Sequence, residues 1–208
     1  MTYFPHIRQC SNPACGFRFP VTEFDKNFEI CPKCKSQTIF ICEVPQFVRE
    51  KNNIRPEARI SLILDNLRSV FNVGSIFRSA DGCGVVVRLY LCGTTPTPDH
   101  PKMAKTALGA ENSVPWSYHL NGLKLANKLV SKGKKLIALE MTPDSQPIKT
   151  FLSSMEPVEN LVFVVGNEVV GVDPEILALA SEHIHLPMHG IKESLNVAIA
   201  ASIFCYSI

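Results

Sequence analysis

Short apolar runs alternate with stretches of helical periodicity from residue 60 onward, and this alternation limits the possible folds more than any other pattern in the chain. A short apolar run without polar alternation is typical of a strand buried on both faces, as in a parallel sheet covered by helices. We therefore predict an α/β domain with a parallel sheet over residues 60–208. The runs interpreted as strands are ISLILDN, VVVRLYLCG, LIALEM, LVFVVG and IHLPM.

Helical segments are predicted between these strands. One runs through Ile76, one lies around Lys105 and one near Leu125. A fourth begins at Asp173, because Asp is a favoured N-cap and the following Pro174 suits the first helical turn.

The stretch from Leu195 to Ile208 is apolar around its whole circumference. A surface helix would show a polar face, and a membrane span would need about 20 apolar residues. We therefore expect a helix that is capped by Ser194 and packs on its own domain on one side and on a second subunit on the other. The polar side chains of this stretch are Asn196, Ser202, Tyr206 and Ser207.

Four of the eight cysteines form two close pairs near the N-terminus. Two such pairs separated by a strand-like stretch can bring four thiolates around one tetrahedral zinc ion. A disulfide is disfavoured in a reducing compartment, and exposed Pro, Asn and Lys neighbours disfavour simple burial. We predict a structural zinc site in a zinc-ribbon-like module over residues 1–43, with His6 and Cys42 as substitutes if one ligand is misassigned. The predicted ligands are Cys10, Cys15, Cys31 and Cys34.

Residues 44–59 contain two prolines and many charges without an apolar period, and we interpret them as a linker. Residues 1–59 hold nine Lys and Arg against six Asp and Glu, whereas residues 60–208 hold 12 against 13. Any electrostatic attraction to phosphates should therefore come mostly from the N-terminal part and from local patches. The start of the chain, MTYFPHIRQC, has no signal-peptide pattern, so we expect a cytoplasmic protein with no membrane partner.

Polar residues and glycines follow three of the predicted strands. Ligands of open parallel sheets bind beyond the carboxyl ends of the strands, so these residues predict a ligand site at that edge. The chain has neither a G-x-G-x-x-G dinucleotide fingerprint nor a P-loop. The residues are Asn72, Gly74 and Arg78 after the first strand, Gly166 to Gly171 after LVFVV, and Ser194 and Asn196 after IHLPM.

Together these three segments resemble the three motifs of the SpoU, or TrmH, type of SPOUT RNA methyltransferases. The segments are LDNLRSVFNVGSIFRSADGCG, LVFVVGNEVVGV and IHLPMHGIKESLNVAIAASIF, and the resemblance covers residues 60–208. One departure is Ala198, where some members carry serine. The resemblance implies a parallel-sheet SPOUT domain with a C-terminal deep trefoil knot and a homodimer in which the last helix packs on the partner.

The resemblance also implies methyl transfer from S-adenosylmethionine to a ribose 2′-hydroxyl in tRNA or rRNA. The cofactor would be held by backbone groups near Leu139, Gly166, Leu186 and Met188, with Ser194, Leu195 and Asn196 closing the pocket. Glycine at 166 would allow close approach to the cofactor.

The same resemblance implies a set of catalytic residues. Arg78 matches an arginine proposed to act on the ribose hydroxyl. A guanidinium normally stays protonated, so we expect Arg78 to stabilise the developing alkoxide and to fix a phosphate, with a general-base role left open. Its predicted companions, which would orient it and the nucleotide, are Asn72, Glu168, Ser194 and Asn196.

Two further segments are candidates for RNA contact. The segment Lys102 to Trp116 resembles a loop that approaches RNA in relatives, in which Lys102 and Lys105 would meet phosphates; Trp116 could stack on a base, although core packing is the more common role of a single tryptophan. The zinc-ribbon-like module is either an extension of the RNA surface or purely structural. Its basic residues are Arg8, Arg18, Lys33 and Lys35.

Two other functions compete with ribose methylation. The domain could methylate a base, as other SPOUT branches do, or it could be an inactive RNA-binding protein that works through the zinc ribbon. The set of Asn72, Arg78, Ser194 and Asn196 favours a ribose methyltransferase.

Overall fold

The structure is a computed structural model that describes residues 5–22, 24–45, 59–155 and 160–208. The chain divides into a smaller N-terminal and a larger C-terminal compact unit. Most of the predicted linker 44–59 lies outside the described residues, because residues 46–58 are not among them.

The N-terminal unit is a three-stranded antiparallel sheet with the order β2-β1-β3. Its strands are β1 (His6–Cys10), β2 (Arg18–Val21) and β3 (Thr38–Glu43). Arg8 on the central strand donates from Nε to Thr38 Oγ1 and from Nη2 to the Thr38 carbonyl, both at 2.8 Å. These bonds fix β1 against β3.

The C-terminal unit is built on a seven-stranded sheet in which every observed pairing is parallel. The order is β6-β5-β4-β9-β7-β10-β8. The carboxyl ends of these strands therefore meet at one edge of the sheet. The strands are β4 (Ile60–Asp65), β5 (Val86–Cys92), β6 (Trp116–His119), β7 (Lys135–Leu139), β8 (Gln146–Pro147), β9 (Leu161–Val165) and β10 (Glu182–His185).

Helices cover both faces of this sheet. One buried cluster joins β4, β5 and β9 to the first and last helices through Phe77, Phe163 and Phe204. The other contains Leu125 and Ile176 from two helices on the opposite face. The predicted α/β fold with a parallel sheet is thus confirmed. The helices are α1 (Val70–Cys83), α2 (Ala104–Ala107), α3 (Ala110–Ser113), α4 (Gly122–Val130), α5 (Ile148–Ser154), α6 (Pro174–Leu179) and α7 (Val197–Ser207).

Helix starts were predicted with mixed success. Asp173 caps α6 by accepting from the Glu175 amide at 2.8 Å, as expected. The predicted cap Ser194 of the last helix is wrong. Asn196 caps α7 instead, with its Oδ1 accepting from the amides of Ala198 and Ile199, since the amide side chain of Asn caps as well as a serine hydroxyl does.

Helix α7 buries one face and exposes the other within this chain. Ala201, Phe204 and Cys205 are buried, whereas Ile199 and Ile203 are 52% and 41% exposed. Among the described residues, no helix is long and apolar enough to cross a bilayer. The trefoil knot stays a prediction of the family resemblance.

Candidate active site

A cavity of about 500 Å³ opens at the carboxyl ends of β7, β9 and β10. It continues along the segment 193–197 and reaches Ala200 on α7. Its walls include all seven residues predicted to contact the cofactor; that they bind it stays a prediction. These residues are Leu139, Gly166, Leu186, Met188, Ser194, Leu195 and Asn196.

A chain of hydrogen bonds joins the three sequence motifs beside this cavity. Asn196 Nδ2 donates to Asn72 Oδ1 at 3.0 Å, and Asn72 Nδ2 donates to Glu168 Oε1 at 2.9 Å. Asn196 also caps α7, so its side chain connects the last helix to the first turn of α1. Three of the five predicted catalytic residues are thereby held in one network.

Glu168 is the acceptor at the end of this network. Its carboxylate also receives the backbone amides of Arg68 at 2.9 Å and Ser69 at 3.1 Å. Burial by itself raises the pKa of Glu168, but the hydrogen bonds from Arg68, Asn72 and Ser69 outweigh it, and the net pKa is lowered. Glu168 is therefore ionised at neutral pH, and it holds Arg68 and Ser69, the two residues that lead into α1.

Gly166 ends β9 at a point where a side chain cannot fit. A Cβ on Gly166 would collide with the backbone of Gly171 and Val172. The turn is closed by the paired amides and carbonyls of Asn167 and Gly171, each at 2.9 Å. Glycine is thus required by the turn itself, a more direct reason than the predicted approach to the cofactor.

Sequence reasoning assigned no role to Asn167, which lies within the predicted segment Gly166 to Gly171, or to Asn66; both hold the loops around the site. Asn167 Oδ1 accepts from the Val169 amide, while its Nδ2 donates to the Asn66 carbonyl at 2.7 Å. Asn66 has a left-handed φ of 56°, which Asn tolerates better than most residues. An Asn directly after a strand and an Asn after a glycine were the available signals.

Two carboxylates near the site were also missed. Asp65 ends β4 and is only 2% exposed; its oxygens accept from Asn66 Nδ2 and from the Asp173 amide. Burial raises the pKa of Asp65, and the nearby Asp173 charge adds to this rise. Glu140 lines the cavity and accepts from the Val172 amide at 3.1 Å.

The remaining predicted catalytic residues, Ser194 and Arg78, lie outside the network. Ser194 lines the cavity. Arg78 lies on α1, six residues after Asn72, and is exposed. Within the described ranges no residue forms a hydrogen bond or ion pair with its guanidinium. Its five donors are therefore available to a ligand.

The predicted RNA loop Lys102 to Trp116 contains α2 and α3 and ends at the first residue of β6. Lys102 and Lys105 are exposed. Trp116 packs partly buried against the core, which agrees with the structural role that we considered more common.

The four cysteines predicted to hold zinc lie together in the N-terminal unit. All four sulfurs lie within 4.8 Å of one another, with Cys10 and Cys34 at 3.3 Å and Cys15 and Cys31 at 3.9 Å. Zinc–sulfur bonds of about 2.3 Å in a tetrahedron place sulfurs about 3.8 Å apart. The residues after each pair, Gly16 and Lys35, both have positive φ. The donor set therefore fits a tetrahedral thiolate site.

Comparison with known proteins supports the family resemblance given above. Residues 59–206 match the family model described as the SpoU rRNA Methylase family. The chain is 30% identical over 146 residues to a tRNA (guanosine(18)-2′-O)-methyltransferase of Aquifex aeolicus, covering 68% of this chain and 64% of that protein. It is 28% identical over 170 residues to the 23S rRNA (guanosine(2553)-2′-O)-methyltransferase RlmP of Bacillus subtilis, covering 82% of this chain and 63% of that one. The chain thus spans slightly less than two thirds of each relative.

Solved structures give the same result. The TrmH/SpoU tRNA modifying enzyme of A. aeolicus superimposes with a TM-score of 0.63 at 26% identity, covering 73% of this chain and 74% of that one. An AdoMet-bound rRNA methyltransferase from Sinorhizobium meliloti gives a TM-score of 0.65 at 24% identity, covering 83% and 64% of the two chains, which supports the fold.

Proposed function

The chain belongs to the SpoU rRNA methylase family, and on this basis we propose that it transfers the methyl group of S-adenosylmethionine to the 2′-hydroxyl of a ribose in tRNA or rRNA. The relatives named above are 2′-O-methyltransferases of these two RNA classes. The observation that carries the proposal is the hydrogen-bonded chain of Asn196, Asn72 and Glu168 beside a cavity with all seven predicted cofactor residues in its walls.

The cavity fits a cofactor of this kind. A volume of about 500 Å³ lies in the usual range for small-molecule sites. Its walls combine apolar side chains such as Leu139, Leu186 and Met188 with the loop that follows β9. When bound, S-adenosylmethionine supplies a methyl group already activated by a positively charged sulfur.

The protein residues then have to position the ribose and handle a proton. Glu168 is a poor general base, because its pKa is lowered and its oxygens already accept three hydrogen bonds besides. We assign Glu168, Asn72 and Asn196 the role of positioning α1. Arg78, six residues along the same helix, would stabilise the developing alkoxide and hold a phosphate, while the proton of the hydroxyl passes to solvent water. Ser194 would contact the cofactor from the cavity wall.

Zinc binding by the N-terminal unit is part of the same proposal. Cys10, Cys15, Cys31 and Cys34 would hold the ion, which would stabilise a unit in which few of the described apolar residues are buried. The basic residues Arg8, Arg18, Lys33 and Lys35 support a contribution of this unit to RNA binding.

We also propose that the protein forms a homodimer through α7. Ile199, Ile203 and Tyr206 form an exposed, largely apolar face of α7, next to the face of the same helix that is buried in the core. A second copy of the chain would cover it, as the family resemblance implies. A cytoplasmic location follows from the proposed RNA substrates.

The experiment that tests the function is transfer of labelled methyl from S-adenosylmethionine to total RNA, followed by separation by size and alkaline digestion of the labelled band. A methylated 2′-hydroxyl protects the adjacent phosphate from alkali. We expect label in one RNA class, recovered as alkali-resistant dinucleotides.

Other outcomes distinguish the competing functions. Label recovered only in mononucleotides would indicate base methylation. Absence of label from every RNA fraction, with cofactor binding intact, would contradict the proposed activity and favour a protein that only binds RNA.

A further inference from the structure

A second cavity, of about 390 Å³, lies where β6 leads into α4. Exposed side chains of Tyr118 and Leu120 form one part of its wall, and Lys124 and Lys128 of α4 form another. Leu120 is 82% exposed and Tyr118 is 44% exposed, so the apolar surface of both side chains is open to a ligand. We call this feature the β6–α4 groove.

The β6–α4 groove is positively charged. Lys124 and Lys128 are four residues apart, so their side chains lie on the same face of α4. No Asp or Glu is among the described residues that line the groove. Burial, followed by the positive charges of Lys128 and Arg88, lowers the pKa of the adjacent His119. An anionic ligand fits this charge.

The groove lies at the same edge of the sheet as the cavity of about 500 Å³, which we call the cofactor cavity. Both lie at the carboxyl ends of strands, and all the observed strand pairings are parallel. Three strand spacings of about 4.8 Å place the end of β6 about 14 Å from the end of β9. A strand of a few nucleotides spans such a distance.

A series of hydrogen bonds connects the β6–α4 groove to the cofactor cavity. Tyr118 Oη donates to the Gly93 carbonyl at 2.7 Å, the Thr94 amide donates to Asn66 Oδ1 at 3.2 Å, and Asn167 Nδ2 donates to the Asn66 carbonyl at 2.7 Å. Asn167 lines the cofactor cavity. The groove and the cofactor cavity are therefore connected by hydrogen bonds between the loops that follow β5, β4 and β9, three neighbouring strands.

We propose that the β6–α4 groove binds the strand of the substrate RNA that flanks the methylated nucleotide, with Lys124 and Lys128 contacting phosphates and Tyr118 and Leu120 contacting a base. This inference rests on the proposed function, since it takes RNA as the substrate. Lysine contacts to phosphates position a strand without reading its sequence. The Tyr118 ring is fixed through its hydroxyl, and a fixed aromatic ring is a suitable platform for any base.

The test compares four single variants and one double variant, Lys124→Gln with Lys128→Gln, all in the full chain. Lys128→Gln removes a groove charge, whereas the control Lys149→Gln removes an exposed charge on α5, which follows β8 at the other end of the strand order. Tyr118→Ala removes the ring, and Tyr118→Phe keeps the ring but loses the bond to Gly93. The readouts are kcat/KM for methylation of total RNA and the affinity for a fluorescent 20-nucleotide oligouridylate, measured at several salt concentrations.

Each lost phosphate contact should weaken binding about fourfold at 0.15 M salt and reduce the salt slope by about 0.7, the value for single strands. Lys124→Gln combined with Lys128→Gln should therefore weaken binding more than tenfold, while Lys149→Gln stays near wild type. Tyr118→Ala should weaken binding about fivefold or more, and Tyr118→Phe much less. Cofactor affinity should be unchanged in every variant.

Equal oligouridylate affinity and salt slope for Lys128→Gln and Lys149→Gln would overturn the inference, and would leave the groove to a protein partner. Failure of the proposed function has a different signature. Wild-type protein would then methylate no RNA, while the binding comparison would still decide whether the groove holds a nucleic-acid strand.

Discussion

At the scale of single residues, Arg78 differs from Asn72, Glu168 and Asn196 because no described residue binds its side chain, although it lies on the same helix as Asn72. We predict that Arg78→Ala lowers kcat for methylation by about a hundredfold, the usual cost of losing one donor to a developing oxyanion. Its effect on the affinity for S-adenosylmethionine, measured by calorimetry, should be under twofold. Arg78→Lys keeps the charge but not the planar fork and should restore only part of the rate. Joint loss of activity and cofactor binding in Arg78→Ala would show that the assigned role is wrong.

Asp65 gives a prediction on pH. Its pKa is raised in the folded protein, mainly by burial, so ionising it opposes folding. The folded state should therefore lose stability as pH rises from the ordinary carboxyl pKa of about 3.9 through the raised value. Asp65→Asn cannot ionise, and its urea-unfolding free energy should lack this loss. An unchanged dependence on pH in Asp65→Asn, compared with wild type between pH 4 and pH 7, would contradict the assignment.

The residues of the site differ in how well the sequence predicts them. Asn72, Glu168 and Asn196 could be named because each lies in a segment that follows a strand and belongs to a recognisable motif. Asn66 and Asn167 could not, since an Asn after a strand is ordinarily a turn residue. Their importance comes from bonds to loops about a hundred residues away in sequence, which no local pattern encodes.

At the scale of elements, the start of α7 allows a direct comparison of two polar residues that are two positions apart, Ser194 and Asn196. Asn196→Ala removes the cap and the bond to Asn72, and we expect it to lower the free energy of unfolding by about 1 kcal/mol or more. Ser194→Ala, the matched control, removes a residue that caps nothing and should change stability by less than about 0.5 kcal/mol. Urea denaturation followed by circular dichroism measures both. The reverse order of effects would restore Ser194 as the cap.

The strands were predictable where both faces are buried. In β4 and β9 the short, mostly apolar runs favour buried strands, and both lie inside the sheet. The edge strands β6 and β8 were not predicted, because WSYH is amphipathic and QP is only two residues long. Pairing at a sheet edge depends on the neighbouring strand more than on local composition.

The N-terminal unit gives a prediction about metal. We expect one zinc ion per chain by atomic emission after dialysis. Cys34→Ala should abolish this zinc and lower the melting temperature of the N-terminal unit. Cys42→Ala, an exposed cysteine outside the cluster, should change neither. Full zinc content in Cys34→Ala would show that the four cysteines are not the ligands.

At the scale of the whole molecule, the exposed face of α7 bears on assembly. Ile203→Glu should convert a dimer into a monomer in size-exclusion chromatography with light scattering, because it places a charge in an apolar contact. Val130→Glu is the control, since Val130 has a similar exposure, 38%, but lies at the end of α4. A wild-type chain that is monomeric at micromolar concentration would contradict the proposed dimer.

The bonds that build the active site also bear on when it forms during folding. Those that join Glu168 to Asn72 and Asn72 to Asn196 connect residues 96 and 124 positions apart. Contacts of such long sequence separation carry a large loop-closure cost and form slowly. On refolding from urea, helical circular dichroism should therefore return before enzymatic activity does. A refolding molecule therefore regains its secondary structure early and its catalytic activity last.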